Sequence, residues 1–250
     1  MTNSDTPEQS GPRLELKHTV VAGAVPALVT WLGERFDPDP HAKDPADPRM
    51  LVESIYYDTA ERLCYRGRAK VQLPKHRIRR YDGKAEWFLE EKLRLDSSVW
   101  KRRLSIGPKE LAEVLESGAP LQGPLEWFRA RFRVLGLAPI IHVSYDRFAF
   151  VTANGERVTI DQQIAAAPLE PTIDASTSQH PFGIDRKLTP ITNTAILEVK
   201  GPAKRTPLMD EVVAYLATEE QSYSKYSLGL EAVGLETASL KSTEVKESES

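Results

Sequence analysis

Residues 73–106 of the sequence read LPKHRIRRYDGKAEWFLEEKLRLDSSVWKRRLSI. Its pattern predicts three consecutive strands, over Leu73–Tyr81, Glu86–Leu95 and Val99–Ile106. Asp82-Gly83 and Asp96-Ser97-Ser98 supply turn residues between them. Because strands joined by short turns pair antiparallel, an antiparallel sheet is expected at the centre of the fold.

On either side of this core, further strands and several inserted helices are expected. Strands are expected over Arg13–Val20, Leu51–Asp58, Pro139–Thr152, Glu156–Gln163 and Ala195–Lys200. Helices are expected over Ala24–Phe36, Lys109–Ser117, Pro124–Leu135 and Leu208–Ala217. About eight strands, mostly linked as hairpins, predict an α+β fold or a barrel decorated with helices.

Composition fits one globular domain, since 40% of the 250 residues are hydrophobic and 28% are charged. We expect a disordered lead over residues 1–12, a single domain over 13–235, and a disordered tail over 236–250. The net charge of -3 argues against a polycation that binds nucleic acid. The four tryptophans are scattered along the sequence and form no aromatic ladder on which single-stranded nucleic acid could stack.

The compartment is expected to be the cytoplasm. Cys64 is the single cysteine, which excludes a disulfide framework and CxxC-type zinc sites and fits a reducing compartment. Residues 1–11 lack the apolar region of a signal peptide. No apolar run approaches the roughly 20 residues that span a bilayer, so contact with a membrane would require a partner.

One face of each predicted strand is rich in long charged side chains, because successive side chains alternate between faces. The residues that share these faces are Arg13, Glu15 and Lys17; Lys75, Arg77 and Arg79; Glu90 and Lys92; Lys101 and Arg103; Tyr145 and Arg147; Arg157 and Asp161; Glu198 and Lys200. Like charges at this spacing repel unless an anion compensates them. If the charged faces point inward, the bore suits a polyanion. The alternative is that they are solvated while the apolar faces pack on helices.

Nine segments of the chain carry charged or aromatic motifs in a fixed order: Arg13-Leu-Glu-Leu-Lys17, Ser54-Ile-Tyr-Tyr-Asp-Thr59, Lys75-His-Arg-Ile-Arg-Arg-Tyr-Asp-Gly83, Phe88-Leu-Glu-Glu-Lys92, Val99-Trp-Lys-Arg-Arg103, Tyr145-Asp-Arg147, Arg157-Val-Thr-Ile-Asp161, Ile196-Leu-Glu-Val-Lys200 and Ser222-Tyr-Ser-Lys-Tyr226. In this order they resemble the VTC (vacuolar transporter chaperone) polyphosphate polymerase domain, one of the triphosphate tunnel metalloenzymes related to CYTH domains. The resemblance covers about Arg13–Leu235 and implies a closed antiparallel eight-stranded β-barrel, the triphosphate tunnel, decorated with several helices.

The resemblance also implies an activity: transfer of the γ-phosphate of ATP onto inorganic polyphosphate, with Mn²⁺ or Mg²⁺. By motif, the catalytic phosphate ligands are Arg77, Arg79, Lys92, Lys101, Arg147 and Arg157. Further substrate-binding residues are Lys17, Lys200, Ser224 and Lys225. Glu198 is the implied metal ligand, with Glu15 and Glu90 as additional candidates.

Two positions depart from the family pattern. Ser222 stands where the family often has another lysine, and Arg13 replaces the first of two glutamates found in CYTH domains. The second departure favours a polymerase over a CYTH-type triphosphatase. Three alternatives stay open: a metal-dependent triphosphatase, a non-catalytic module that binds polyphosphate or nucleotide, and a plain barrel. Whether a membrane partner receives the product also stays open.

Overall fold

The computed structural model describes residues 4–10, 13–42, 44, 46–66, 73–95, 98–115, 125–169, 187–216, 218, 220–221 and 224–236. Its strands are β1 Ser4–Ser10, β2 Arg13–Val21, β3 Asp37–Pro38, β4 Arg49–Asp58, β5 Lys75–Tyr81, β6 Trp87–Leu95, β7 Ser98–Ile106, β8 Ala138–Val151, β9 Arg157–Pro168, β10 Thr189–Pro190 and β11 Thr194–Pro202. Its helices are α1 Val25–Gly33, α2 Leu63–Arg66, α3 Pro108–Leu115, α4 Glu126–Leu135, α5 Pro207–Leu216 and α6 Lys225–Ala232.

The strands form one antiparallel sheet in the order β1-β7-β6-β5-β4-β8-β9-β11-β2, and β3 and β10 add short pairings to β8 and β9. The turn after β5 lies where the sequence predicts it. Asp82 and Gly83 both have positive φ, 52° and 63°, a conformation that the Asp-Gly pair tolerates well.

The sheet is not closed, which corrects the expectation of a closed eight-stranded barrel. The two edges that would have to meet are those of β7 and β2, and each is occupied by another segment. β1 pairs with the outer edge of β7. On β2, His18 bridges to Glu220, and the Gln221 amide donates to the Lys17 carbonyl at 2.8 Å.

Both ends of the chain were expected to be disordered. Ser4–Ser10 forms β1, which differs from the disorder expected for the lead, because its backbone finds a partner along β7. Residues 237–250 of the expected tail lie outside the described residues, as does most of the long connection before β10.

Two apolar clusters cover the outer, convex face of the curled sheet. One joins Leu16, Ile160 and Leu197 to helices α1 and α5. The other joins Ile78 and Leu89 to helices α3 and α4. Since these strand positions alternate with the charged ones, burial of the apolar set turns the charged set toward the inner, concave face.

Helix α6 is the exception, because it packs on the inner face against β8 and β9. Tyr226 and Leu230 join an apolar cluster there with Ile141 and Val143. Gly229 permits the close approach: a Cβ atom at this position would stand 3.0 Å from Cδ1 of Ile141. Within the described ranges, no helix combines the length and apolarity needed to cross a membrane.

Candidate functional site on the concave face

The inner face gathers charged side chains from seven strands and from α6. They are Glu15 and Lys17 on β2, Arg77 and Arg79 on β5, Glu90 and Lys92 on β6, Lys101 and Arg103 on β7, Arg147 on β8, Arg157 and Asp161 on β9, Glu198 and Lys200 on β11, and Lys225 on α6. The sheet is curled, since Glu15 on β2 and Lys92 on β6 lie close enough to shift each other's pKa. The predicted phosphate ligands therefore share one concave surface.

Glu90 links two arginines on the β5–β7 side of this surface. Its carboxylate accepts a hydrogen bond from Nε of Arg77 and lies 3.5 Å from Nε of Arg103. The Arg103 guanidinium lies 3.9 Å from the ring centroid of Phe88. Burial alone would raise the pKa of Glu90, but the neighbouring guanidinium groups lower it to about 2. Glu90 is thus a fixed anion between two cations.

Two hydroxyl groups among the described residues hold Arg79. Its Nε donates to Oγ of Ser54 at 2.9 Å, and its Nη2 donates to the phenol oxygen of Tyr145 at 3.1 Å. Only 4% of Arg79 is exposed. Glu90 lies close enough to raise the pKa of Arg79. The groups that Arg79 contacts directly are nevertheless neutral, so its guanidinium charge is suited to an anion.

Asp161 organises the centre of the surface. Arg147 approaches it as a two-pronged fork, with Nε 2.6 Å from Oδ1 and Nη2 2.7 Å from Oδ2. Nζ of Lys225 lies 2.6 Å from the same Oδ2. Asp161 is fully buried, and these two cations hold its pKa below the ordinary value although burial opposes them.

Glu198 forms a second junction, where three lysines converge. Its carboxylate oxygens lie 2.7 Å from Nζ of Lys200, 3.4 Å from Nζ of Lys225 and 3.8 Å from Nζ of Lys17. Glu15 is nearby, 3.1 Å from Nζ of Lys17. Burial would raise the pKa of Glu198, but the lysines lower it well below its ordinary value.

Lys92 and Lys101 stand directly opposite each other on β6 and β7. Although part of Lys92 reaches solvent, its partial burial, with Lys101 and Lys200 beside it, lowers its pKa to about 8. Like charges on paired positions are unfavourable. An anion between the two lysines would remove that cost.

Arg157 and Ser224 lie at the margins of the surface and already have protein partners. Nη2 of Arg157 lies 2.7 Å from Oδ2 of Asp39, a buried residue in the loop after β3. Oγ of Ser224 accepts the Ser227 amide at 3.4 Å and caps the N-terminus of α6. The hydroxyl that the motif assigned to substrate therefore has a structural role as well. Ser222 lies outside the described residues.

Three histidines near the predicted strands belong to the outer side. His18 contacts Thr218 through its Nδ1, His76 contacts Glu91 at 2.9 Å, and His142 lies 3.6 Å from Glu53. All three are buried at positions that alternate with the inner-face residues. None of them is placed to serve as a base on the concave face.

Sequence reasoning omitted several residues that the geometry places in the site. Asp161, Tyr145 and Arg103 were noted on charged strand faces but were not among the residues that the family motifs selected. The two-residue period that selects Arg147 and Arg157 also reaches Tyr145 and Asp161. Asp39 carries no comparable pattern, since it lies in a proline-rich loop.

The acidic residues define what kind of metal site the surface permits. Across the described part of the chain, no group of three or more His, Cys, Asp or Glu side chains could hold a metal ion. Glu198 and Glu15 are close enough for their charges to interact. This pair fits a divalent cation that takes its remaining ligands from water and substrate phosphates, as Mg²⁺ commonly does. Glu90 is enclosed by arginines instead.

The chain is thus an antiparallel-sheet protein with a cation-rich concave face that is suited to binding anions. The VTC domain matches residues 12–233, so the chain belongs to the VTC domain family. No curated protein matches the chain.

Two solved structures share the fold. A Hippeastrum protein, proposed as an adenylyl cyclase and found to have a dominant triphosphatase activity, is 15% identical, with a TM-score of 0.53 over 88% of this chain and 96% of that one. A Bacillus halodurans protein, proposed to be an adenylate cyclase, is 14% identical, with a TM-score of 0.55 over 86% and 95% of the two chains.

Proposed function

We propose that this protein is a phosphotransferase that moves the γ-phosphate of ATP onto a polyphosphate chain lying along the concave face. The observation that carries the proposal is the convergence of cations from seven strands and α6 on one surface. A row of cations this long matches a linear chain of phosphates better than it matches a single phosphate.

The arginines and lysines have different tasks in this mechanism. Arg77, Arg79 and Arg147, with Arg157 at the margin, hold the phosphates through their planar forks. Lys17, Lys92 and Lys101 neutralise the acceptor chain. A divalent cation, when bound by Glu198 with Glu15, would supply charge neutralisation at the phosphate oxygens.

The transfer step needs no protein base. A terminal oxygen of the acceptor chain forms a bond to the γ-phosphorus, the bond from this phosphorus to the bridging oxygen breaks, and ADP leaves with that electron pair. The inner-face carboxylates are poor bases, because Glu15, Glu90, Asp161 and Glu198 all have lowered pKa values. This favours an ionised phosphate acceptor over water.

Hydrolysis is the second candidate, in which water receives the γ-phosphoryl group on the same surface. The activity of the Hippeastrum protein, which has the same fold, motivates this candidate. A binding module without turnover is the third possibility.

Incubation with ATP and Mn²⁺, followed by sizing of the products on a gel, separates these functions. Long polyphosphate is the expected product. If orthophosphate is the only product, the protein is a hydrolase and not a polymerase. If ATP stays unchanged, the protein binds its ligand without turnover. Arg77→Ala should reduce turnover by on the order of a hundredfold, the typical effect of losing one donor to a transition-state oxyanion.

Arg80→Ala is the matched control for Arg77→Ala. Arg80 lies on the same strand but faces outward, where it pairs with Glu53 and lies over Trp87. Its loss should leave turnover within about twofold of wild type, since neither partner belongs to the inner face. Equal losses in both variants would mean that the inner face is not the site.

A further inference from the structure

Asp58, at the end of β4, is a buried carboxylate that the mechanism does not use. It is fully buried, and its oxygens accept hydrogen bonds from the backbone amides of Thr59, Cys64 and Tyr65 at 2.7, 2.9 and 3.1 Å. The phenol of Tyr226 donates a fourth, at 2.6 Å to Oδ2. This last bond joins the β4–α2 connection to helix α6.

Lys225 depends on α6 in a way that the other site cations do not. Among the site cations named above, it is the one carried by a helix, while hydrogen bonds within the sheet fix the others. Its side chain is only 9% exposed, and its Nζ lies between Asp161 and Glu198. The position of Lys225 is therefore set by how α6 docks.

The apolar contacts of α6 and its hydrogen bond to Asp58 differ in how strongly they depend on direction. Leu230 and Gly229 pack on β8 and β9, and the Tyr226 ring stacks on Tyr56 with centroids 5.4 Å apart. Apolar burial is non-directional. The hydrogen bond from Tyr226 to Asp58 is directional, and it lies one residue from Lys225.

We infer that Asp58 is a positioning residue, which acts through the Tyr226 hydroxyl to hold Lys225 between Asp161 and Glu198, where it meets a phosphate chain. Part of this inference rests on the proposed function. The placement of Lys225 can be measured with no ligand, and its use in phosphate binding can be measured separately.

The first test is lysine acylation by an N-hydroxysuccinimide acetate, with site-by-site quantification by mass spectrometry on the full chain without ligand. Tyr226→Phe removes only the hydroxyl and keeps the ring that stacks on Tyr56. We expect Lys225 to be labelled about fivefold faster in this variant, while labelling of the more exposed Lys200 stays unchanged. Unchanged protection of Lys225 would overturn the inference.

Tyr65→Phe is the matched control. Tyr65 also donates a phenol hydrogen bond to α6, to Glu231 at 3.1 Å, but this contact is exposed and lies toward the far end of the helix from Lys225. Its loss should not change the labelling of Lys225. Faster labelling in both variants would mean that any loosening of α6 releases Lys225. Asp58 would then have no specific role in placing Lys225.

The second test is a double-mutant cycle on binding of inorganic triphosphate without metal, measured by calorimetry. Tyr226→Phe should weaken binding about fivefold in the wild-type background, the scale of one misplaced hydrogen-bonding group. It should have no effect in the Lys225→Met background. Equal weakening in both backgrounds would overturn the inference. Absence of triphosphate binding in the wild type both without metal and with Mn²⁺ would overturn the proposed function, while the labelling result still decides the placement of Lys225.

Discussion

Lys92 shows how one side chain on the inner face is prepared for an anion. Partial burial and the neighbouring ammonium groups lower its pKa to about 8. A bound phosphate raises the pKa of Lys92, because its negative charge favours the protonated ammonium group. Near pH 8, part of the free protein must therefore take up a proton at Lys92 when a phosphate chain binds.

Calorimetry in two buffers of different ionisation enthalpy measures this proton uptake directly. Compared with Lys92→Arg, which stays charged, wild type should take up about half a proton more on binding triphosphate at pH 8. The comparison cancels the titration of triphosphate itself. The difference should vanish at pH 6, where Lys92 is already protonated. The same uptake in both proteins at pH 8 would contradict a phosphate contact that restores the charge of Lys92.

The two-residue alternation along each strand predicted that the cations share one face of the sheet. It could not distinguish a carboxylate that pairs with arginines from one that is available to a metal ion. Glu90 and Glu198 occupy equivalent positions in the strand pattern. Glu90 contacts two arginines, whereas Glu198 contacts lysines and stands near Glu15. This distinction depends on which strands neighbour one another around the curl, and a single strand does not carry that information.

At the level of elements, the hairpin core was predictable and helix α6 was not. The strands over 73–106 follow from local alternation and turn residues, and the structure reproduces them within two residues. Helix α6 is only eight residues long and contains Gly229, which disfavours a helix in isolation. Its stability comes from docking on β8 and β9, and local sequence does not report such docking.

Gly229→Val tests this docking. The added side chain would meet Ile141, Val143 and Ala166, with the nearest atom 3.0 Å from the Cβ position. We expect unfolding in urea to show a loss of about 1–3 kcal/mol, the usual cost of overpacking. Gly23→Val is the control, because nothing lies within 4 Å of its Cβ position, and it should change stability by no more than about 1 kcal/mol. Equal losses would mean that packing against the sheet does not hold α6.

At the scale of the whole molecule, the sheet curls without closing. The alternation of apolar and charged residues predicts two faces, and burial of the apolar face against α1, α3, α4 and α5 accounts for the curvature. Closure was not predictable, because it depends on what occupies the edges of β7 and β2, and β1 and residues 220–221 do so. On the inner side of the open sheet, ion pairs between cations and a few carboxylates link neighbouring strands.

A ligand that spans this face should stabilise the whole sheet, because it neutralises cations on strands that are far apart in sheet order. Triphosphate at about 100 times its Kd contributes about 2.7 kcal/mol to stability. For a chain of this size that corresponds to a rise in Tm of about 5–10 °C. Orthophosphate at the same concentration should raise Tm by about 1 °C or less, since one phosphate reaches few of the cations. Thermal denaturation followed by circular dichroism measures both, and Arg77→Ala should reduce the triphosphate shift while Arg80→Ala preserves it. Equal shifts with both ligands would mean that the cations act as separate single-anion sites and not as one continuous surface for a phosphate chain.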